Sequence, residues 1–140
     1  MTRDQIQLVR DSFAKVVPIA PAAADLFYNR LFELDPTLRP LFKGDMAEQG
    51  RKLMAMLATV VANLHRLGEI TPAVRALAVR HVSYGVEDAQ YATAGAALIW
   101  TLEQGLGDGF TAPIRDAWTT CYQILSAEMI DAATAVRSGA

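Results

Sequence analysis

Apolar side chains recur every three to four residues along almost the whole chain, which is the period of an amphipathic α-helix. The first apolar stripe contains Ile6, Val9 and Phe13, with Val16 or Val17 at its end. The strict alternation of apolar and polar positions that indicates a β-strand is absent from the sequence. The pattern therefore predicts an all-α fold of seven or eight helices.

Capping residues and prolines predict where these helices begin and end. The predicted starts are Thr2 with Gln5 as a capping box, Pro21, Asp35-Pro36, Asp45 with Glu48, Thr71-Pro72, Asp88 and Thr111. The predicted ends are Pro18, Leu34, Phe42 before a Lys43-Gly44 loop, Leu67 closed by Gly68, Gly85 and Gln104. The connections are short, and no repeat or linker divides the chain, so we expect residues 1–140 to form one domain. The tail from Ser138 to Ala140 should fray.

Composition excludes several classes of function. A net charge of -2 without any run of Lys or Arg argues against a protein that binds nucleic acid or an anionic membrane. The longest apolar stretches, 53–64 and 91–102, are too short to span a bilayer, and the polar start lacks a signal peptide. We therefore expect a cytoplasmic protein. The single cysteine, Cys121, excludes an intrachain disulfide and a cysteine-based zinc site.

His81 is the residue whose chemistry most needs an explanation. It continues the apolar stripe of Val74, Leu77 and Ala78, so its imidazole faces inward. A buried imidazole needs a hydrogen-bond partner for each nitrogen, or a metal on one of them. The residues alone leave both interpretations open, and a hydrogen-bonded core histidine is the commoner one.

The order of several motifs along the chain adds a resemblance. The motifs are Leu26-Phe27-Tyr28, Pro36 with Pro40-Leu41-Phe42, Gln49 with Arg51-Lys52-Leu53, Arg80-His81 followed by Tyr84-Gly85-Val86, then Tyr91, and Trp118 with Tyr122. From about residue 4 to residue 132 the chain resembles the globin family, especially bacterial single-domain haemoglobins, the haem part of flavohaemoglobins, and neuroglobin. The resemblance implies a globin fold around a haem pocket, with haem b as the cofactor.

The resemblance also implies roles for individual residues on the two sides of the haem. His81 matches the proximal histidine that binds the iron, and Tyr91 matches a tyrosine that accompanies it. Phe42 matches the phenylalanine that packs on the porphyrin face. Lys52 matches a basic residue near the haem propionates, although by default it belongs to a solvated helix face.

On the distal side, Tyr28 matches the tyrosine of the bacterial members, and Gln49 stands where many globins have a histidine. Leu53 lies one turn beyond Gln49 on the same helix face. Dioxygen gains negative charge when iron holds it, so a hydroxyl and an amide donor would slow its release. Without the resemblance, Tyr28 would be a core tyrosine bonded to backbone and Gln49 an ordinary surface amide.

The implied function is reversible binding of dioxygen, and of NO and CO, for storage, transport or gas sensing. Gln49 is a poor iron ligand, so we expect no bis-histidine state through this position. The alternative is a nitric oxide dioxygenase or nitrite reductase that works with a separate reductase, because these 140 residues contain no flavin or nicotinamide site. A haem-free helical interaction module is a third hypothesis.

One departure from the resemblance weakens the enzyme hypothesis. Flavohaemoglobins have a glutamate that hydrogen-bonds the proximal histidine, and the ungapped match puts Ala133 there. Glu128 and Asp131 are close in sequence but are doubtful substitutes, because helical spacing points them elsewhere. Nothing marks a dimer face, so we expect a monomer or a weak homodimer.

Overall fold

The computed structural model describes residues 1–42, 44–83 and 85–137. In this part of the chain the fold is all-α, as predicted, and contains no strand. The six α-helices are α1 (Arg3–Val16), α2 (Ala20–Leu34), α3 (Met46–Ala62), α4 (Leu67–Ser83), α5 (Asp88–Leu106) and α6 (Ala112–Arg137). Short 3₁₀-helices occupy Val17–Ile19, Pro36–Leu41, Leu64–Arg66 and Gly107–Gly109. The predictions made for Lys43, Tyr84 and the tail 138–140 lie outside the described residues.

Three of the seven predicted helix starts are confirmed by the predicted side-chain caps. Thr2 and Gln5 form both bonds of the capping box at the start of α1. Asp35 accepts from the backbone N–H of Thr37, and Asp45 accepts from the N–H of Ala47 at 2.9 Å. These caps satisfy backbone donors at the helix starts, so the local sequence is sufficient to place them.

The boundary between α3 and α4 differs from the prediction. We expected α3 to run to Leu67, but it ends at Ala62. Arg10 of α1 donates hydrogen bonds to the carbonyls of Val61 at 3.3 Å and Ala62 at 3.2 Å. Asn63 donates from its side chain to the carbonyl of Thr59 at 2.8 Å. Side chains therefore satisfy the carbonyls that an ending helix leaves open.

The start of α4 was also predicted wrongly. The helix begins at Leu67 rather than at Thr71-Pro72, so Gly68 lies within it and Pro72 is its sixth residue. The hydroxyl of Thr71 donates to the carbonyl of Leu67 at 3.1 Å instead of capping the helix. The extra turn lengthens the helix that carries His81.

The helices pack around a core to which all six α-helices contribute, with Val74 and Ala78 as the buried residues of α4. α6 lies against α4 and α1, and α2 lies against α5 and α3. Val16 is buried, whereas Val17 is 52% exposed, which decides between the two candidates for the end of the first stripe. Among the described residues no helix is long and apolar enough to cross a membrane. Large side chains of this core include Phe13, Phe27, Tyr28, Leu31, Leu98, Leu102 and Trp118.

Candidate functional site

His81 lies in the last turn of α4, and its imidazole is half-buried. Its Nδ1 is 2.8 Å from the carbonyl oxygen of Leu77 one turn earlier. Because a carbonyl only accepts, Nδ1 carries the proton and Nε2 carries the lone pair. Burial is the main cause that lowers the pKa of His81, so the neutral imidazole is favoured. A neutral imidazole with its lone pair on Nε2 is the form that binds a metal.

The chain turns sharply after His81 in what we call the α4–α5 corner, residues 85–87. Gly85 has a φ of 92°, which favours glycine because it lacks a Cβ. Its N–H donates to the carbonyl of Val82, and the N–H of Val86 donates to the carbonyl of His81, both at 3.0 Å. These two bonds form a Schellman motif, which fixes the end of the helix that holds the imidazole.

Tyr91 of α5 stacks beside the imidazole. The centroids of the Tyr91 and His81 rings are 6.4 Å apart, and the rings are inclined by 26°. Tyr91 is buried, and its hydroxyl has no hydrogen-bond partner among the described residues. Burial is also the main cause that raises the pKa of Tyr91. A buried hydroxyl without a partner beside a potential metal ligand indicates that a further group belongs here.

A second set of residues forms the aromatic cluster, which consists of Phe27, Tyr28, Phe32 and Phe42. The Tyr28 ring meets the rings of Phe27 and Phe42 edge-on at centroid distances of 5.1 and 5.2 Å. Phe32 lies 5.4 Å from Phe42 and 6.2 Å from Tyr28. Phe32 was not predicted as a site residue, although its place one helical turn after Tyr28 was a signal for this contact.

The hydroxyl of Tyr28 donates to the backbone carbonyl of Gln49 at 3.3 Å. This is the backbone bond expected of a core tyrosine, but it is longer than the usual 2.5–3.0 Å of O–H···O bonds. Burial raises the pKa of Tyr28 to about 12, so the hydroxyl keeps its proton near neutral pH. The side-chain amide of Gln49 is half-buried and forms no hydrogen bond within the described part of the chain.

The remaining predicted residues of α3 have different surroundings. Leu53 is half-buried and lines an apolar cavity of about 20 Å³ with Phe27 and Trp118. Lys52 is exposed, and its Nζ lies 3.9 Å from Glu48. The structure therefore places Leu53 towards the core and Lys52 at the surface.

The α4–α5 corner lies close to Leu41, the residue before Phe42. A Cβ added to Gly85 would be 3.5 Å from Cδ2 of Leu41. The 3₁₀-helix Pro36–Leu41 therefore connects the aromatic cluster to the end of the His81 helix. The lone pair of His81 is of the kind that binds haem iron, and the aromatic rings are of the kind that packs on a porphyrin, so the chemistry of these residues fits haem.

The carboxylates that were considered as partners of the imidazole bind elsewhere. Nη1 of Arg75 donates to Glu128 at 2.8 Å and to Asp131 at 2.9 Å. Ala133, the position of the ungapped match, is fully buried and has no polar side chain. Glu128 and Asp131 are therefore engaged by Arg75, which agrees with the expectation that they are doubtful partners of the imidazole.

Comparisons with known proteins support the same interpretation. The globin family profile matches residues 25–129. The flavohemoprotein of Vibrio cholerae is 28% identical over 134 residues, which are 94% of this chain but 34% of that protein. This chain thus spans about a third of that relative. Neuroglobin-1 of Oncorhynchus mykiss is 27% identical, over 92% of this chain and 90% of its own.

Two solved structures share the fold. A bacterial globin from Campylobacter jejuni has a TM-score of 0.85 and 22% identity, with 98% of this chain and 99% of that chain covered. An engineered carbene transferase from Rhodothermus marinus has a TM-score of 0.89 and 23% identity, with 99% and 96% covered. At these identities the similarity concerns the arrangement of the helices.

Proposed function

The chain belongs to the globin family, and on that premise we propose that it binds haem b through His81 and reversibly binds dioxygen and other diatomic gases. Storage, transport and sensing of such gases all rest on this property. The observation that carries the proposal is the state of His81. Desolvation lowers the pKa of its half-buried imidazole, and the carbonyl of Leu77 directs the proton to Nδ1 and the lone pair to Nε2.

The proximal side depends on His81 and Tyr91. Haem, when bound, supplies the iron that coordinates a diatomic gas. Leu77 fixes the tautomer and the direction of the imidazole, as hydrogen bonds to ligand histidines generally do. Tyr91 stacks on one side of the imidazole ring, and its buried hydroxyl would be able to hydrogen-bond a polar group of bound haem.

On the distal side, Tyr28 and Gln49 are the proposed donors to the gas. The long bond from Tyr28 to the carbonyl of Gln49 costs little to break, so the hydroxyl can turn towards a better acceptor. The half-buried amide of Gln49, in the first turn of α3, supplies a second donor. Both donors would slow the release of dioxygen, because its departure breaks the bonds that they make.

Three further residues have supporting roles in this proposal. Phe42 and Leu53, which pack against the core, would supply apolar surface for the porphyrin and exclude water from it. Lys52 is proposed to approach the propionates from the surface. Its ion pair with Glu48 is exposed and 3.9 Å long, so it holds the ammonium group only weakly.

The visible absorption spectrum tests the proposal first. We expect an intense Soret band that shifts on reduction and again when oxygen is added. His81→Gly should lose the haem or its five-coordinate reduced spectrum, and added imidazole should restore the spectrum. The matched control is His65→Gln, because His65 is the other histidine and is exposed, on the turn after α3. A His81→Gly protein with an unchanged spectrum would contradict the assignment.

A second candidate function is nitric oxide dioxygenase or nitrite reductase activity with electrons from a separate reductase. Its support is the stacking of Tyr91 on His81, together with the similarity to a flavohemoprotein. Sustained nitrate formation when a reductase is supplied, lost in Tyr28→Phe while oxygen binding persists, would favour this function. Oxygen binding without turnover would favour the carrier. If the protein failed to bind added haem, the remaining hypothesis would be the haem-free helical interaction module.

A further inference from the structure

We propose that Arg137 is a positioning residue for His81, because it connects the end of α6 to the α4–α5 corner and so fixes the direction of the imidazole. The effect of Arg137 on haem binding rests on the proposed function. The connection between Arg137 and the corner rests on hydrogen bonds between described residues.

Arg137 makes two contacts with one guanidinium group. Its Nη2 donates to the carbonyl of Val86 at 2.6 Å, and its Nη1 donates to the carboxylate of Asp88, the first residue of α5. The N–H of Val86 in turn donates to the carbonyl of His81 at 3.0 Å. Two successive hydrogen bonds therefore lead from Arg137 through Val86 to His81.

The corner needs such a contact because it belongs to neither helix. Residues 85–87 lie between Ser83 and Asp88, and Gly85 has a positive φ that many residues avoid. An exposed ion pair such as Arg137–Asp88 contributes little by itself. The planar guanidinium adds direction, because its two nitrogens bind a backbone carbonyl and a carboxylate at fixed angles.

Arg137→Ala tests the proposal, with Arg115→Ala as the matched control. Arg115 also joins α6 to α5, through Glu103 at 2.9 Å, but it does not touch the corner. In the haem-loaded, CO-bound protein, the amides of Gly85 and Val86 should exchange with solvent about tenfold faster in Arg137→Ala. In the reduced protein, the iron–histidine stretching band in the resonance Raman spectrum should shift. Arg115→Ala should change neither measurement.

Arg137→Lys provides a second variant that keeps the charge but loses the planar fork. We expect exchange rates between those of wild type and Arg137→Ala. Unchanged exchange in Arg137→Ala would overturn the proposed connection, and faster exchange with an unshifted band would overturn its effect on the imidazole. Failure to bind added haem would instead overturn the proposed function. In that case the same exchange rates, measured on the haem-free protein, would still show whether Arg137 holds the corner.

Discussion

At the scale of single residues, burial determines which protonation state His81 and Tyr28 offer to a ligand. Desolvation disfavours the charged form of both side chains, which lowers the pKa of the imidazole and raises that of the phenol to about 12. Near neutral pH, His81 is therefore an acceptor at Nε2 and Tyr28 a donor. The same physical cause thus prepares one side chain to bind a metal and the other to donate a hydrogen bond.

Tyr28→Phe and Gln49→Leu should each speed oxygen dissociation. A hydrogen bond to a charged or polarised acceptor contributes about 1–3 kcal/mol. Its loss corresponds to about a 5- to 150-fold increase in the dissociation rate. Rapid mixing of the oxygenated protein with excess CO measures this rate. Gln104→Leu, at an exposed glutamine of α5, should leave it unchanged. If neither distal variant changes the rate more than about twofold, these residues do not contact the gas.

At the scale of helices, the crossing of α2 and α3 brings Gln49 within reach of Tyr28. Gly50 is buried at this crossing, and a Cβ there would lie 2.9 Å from Cβ of Ala24. Neither atom can move aside without moving its helix, because each is bonded directly to the backbone. The absence of a side chain at Gly50 therefore allows the helices their close approach.

Gly50→Ala should destabilise the protein for this reason. Overpacking costs about 1–3 kcal/mol, which exceeds the gain of at most about 1 kcal/mol from better helix propensity. Gly105→Ala is the matched control in α5, where the new Cβ would lie 3.4 Å from the flexible end of Ile19. Urea denaturation should give a lower free energy of unfolding for Gly50→Ala and an equal or higher one for Gly105→Ala. A stabilised Gly50→Ala protein would show that the crossing has room for a methyl group.

At the scale of the whole molecule, one buried hydrogen bond joins the first helix to the last. The indole N–H of Trp118 in α6 donates to the hydroxyl of Ser12 in α1 at 2.8 Å. That hydroxyl donates in turn to the carbonyl of Leu8 at 2.7 Å. Both Trp118 and Ser12 are almost fully buried, so water has little access to either polar group.

Ser12→Ala should lower the free energy of unfolding by about 1–3 kcal/mol, because it leaves the buried indole N–H without its partner. The measurement is urea denaturation followed by tryptophan fluorescence. Ser126→Ala is the control, because within the described part of the chain that hydroxyl bonds only inside α6, to the carbonyl of Gln123 at 3.3 Å. Its effect should stay within about 0.5 kcal/mol. Equal effects of the two substitutions would mean that the bond to Trp118 contributes little.

The sequence alone was sufficient for the helical period, the fold class and the starts of the helices capped by Thr2, Asp35 and Asp45. These features depend on interactions between residues at most four positions apart, which a sequence pattern records directly. The inward direction of His81 was predictable for the same reason. Its identification as the candidate metal ligand depended in addition on the order of distant motifs.

Only the tertiary structure decided the features that join distant parts of the chain. Arg10 contributes to the end of α3 from 51 positions away, and Arg137 reaches Val86 across the same separation. The bond from Tyr28 to Gln49 likewise depends on how closely two helices cross at Gly50. Such contacts follow from the packing of whole helices. The sequence offers many distant donors for each acceptor, and only the packing selects which donor meets it.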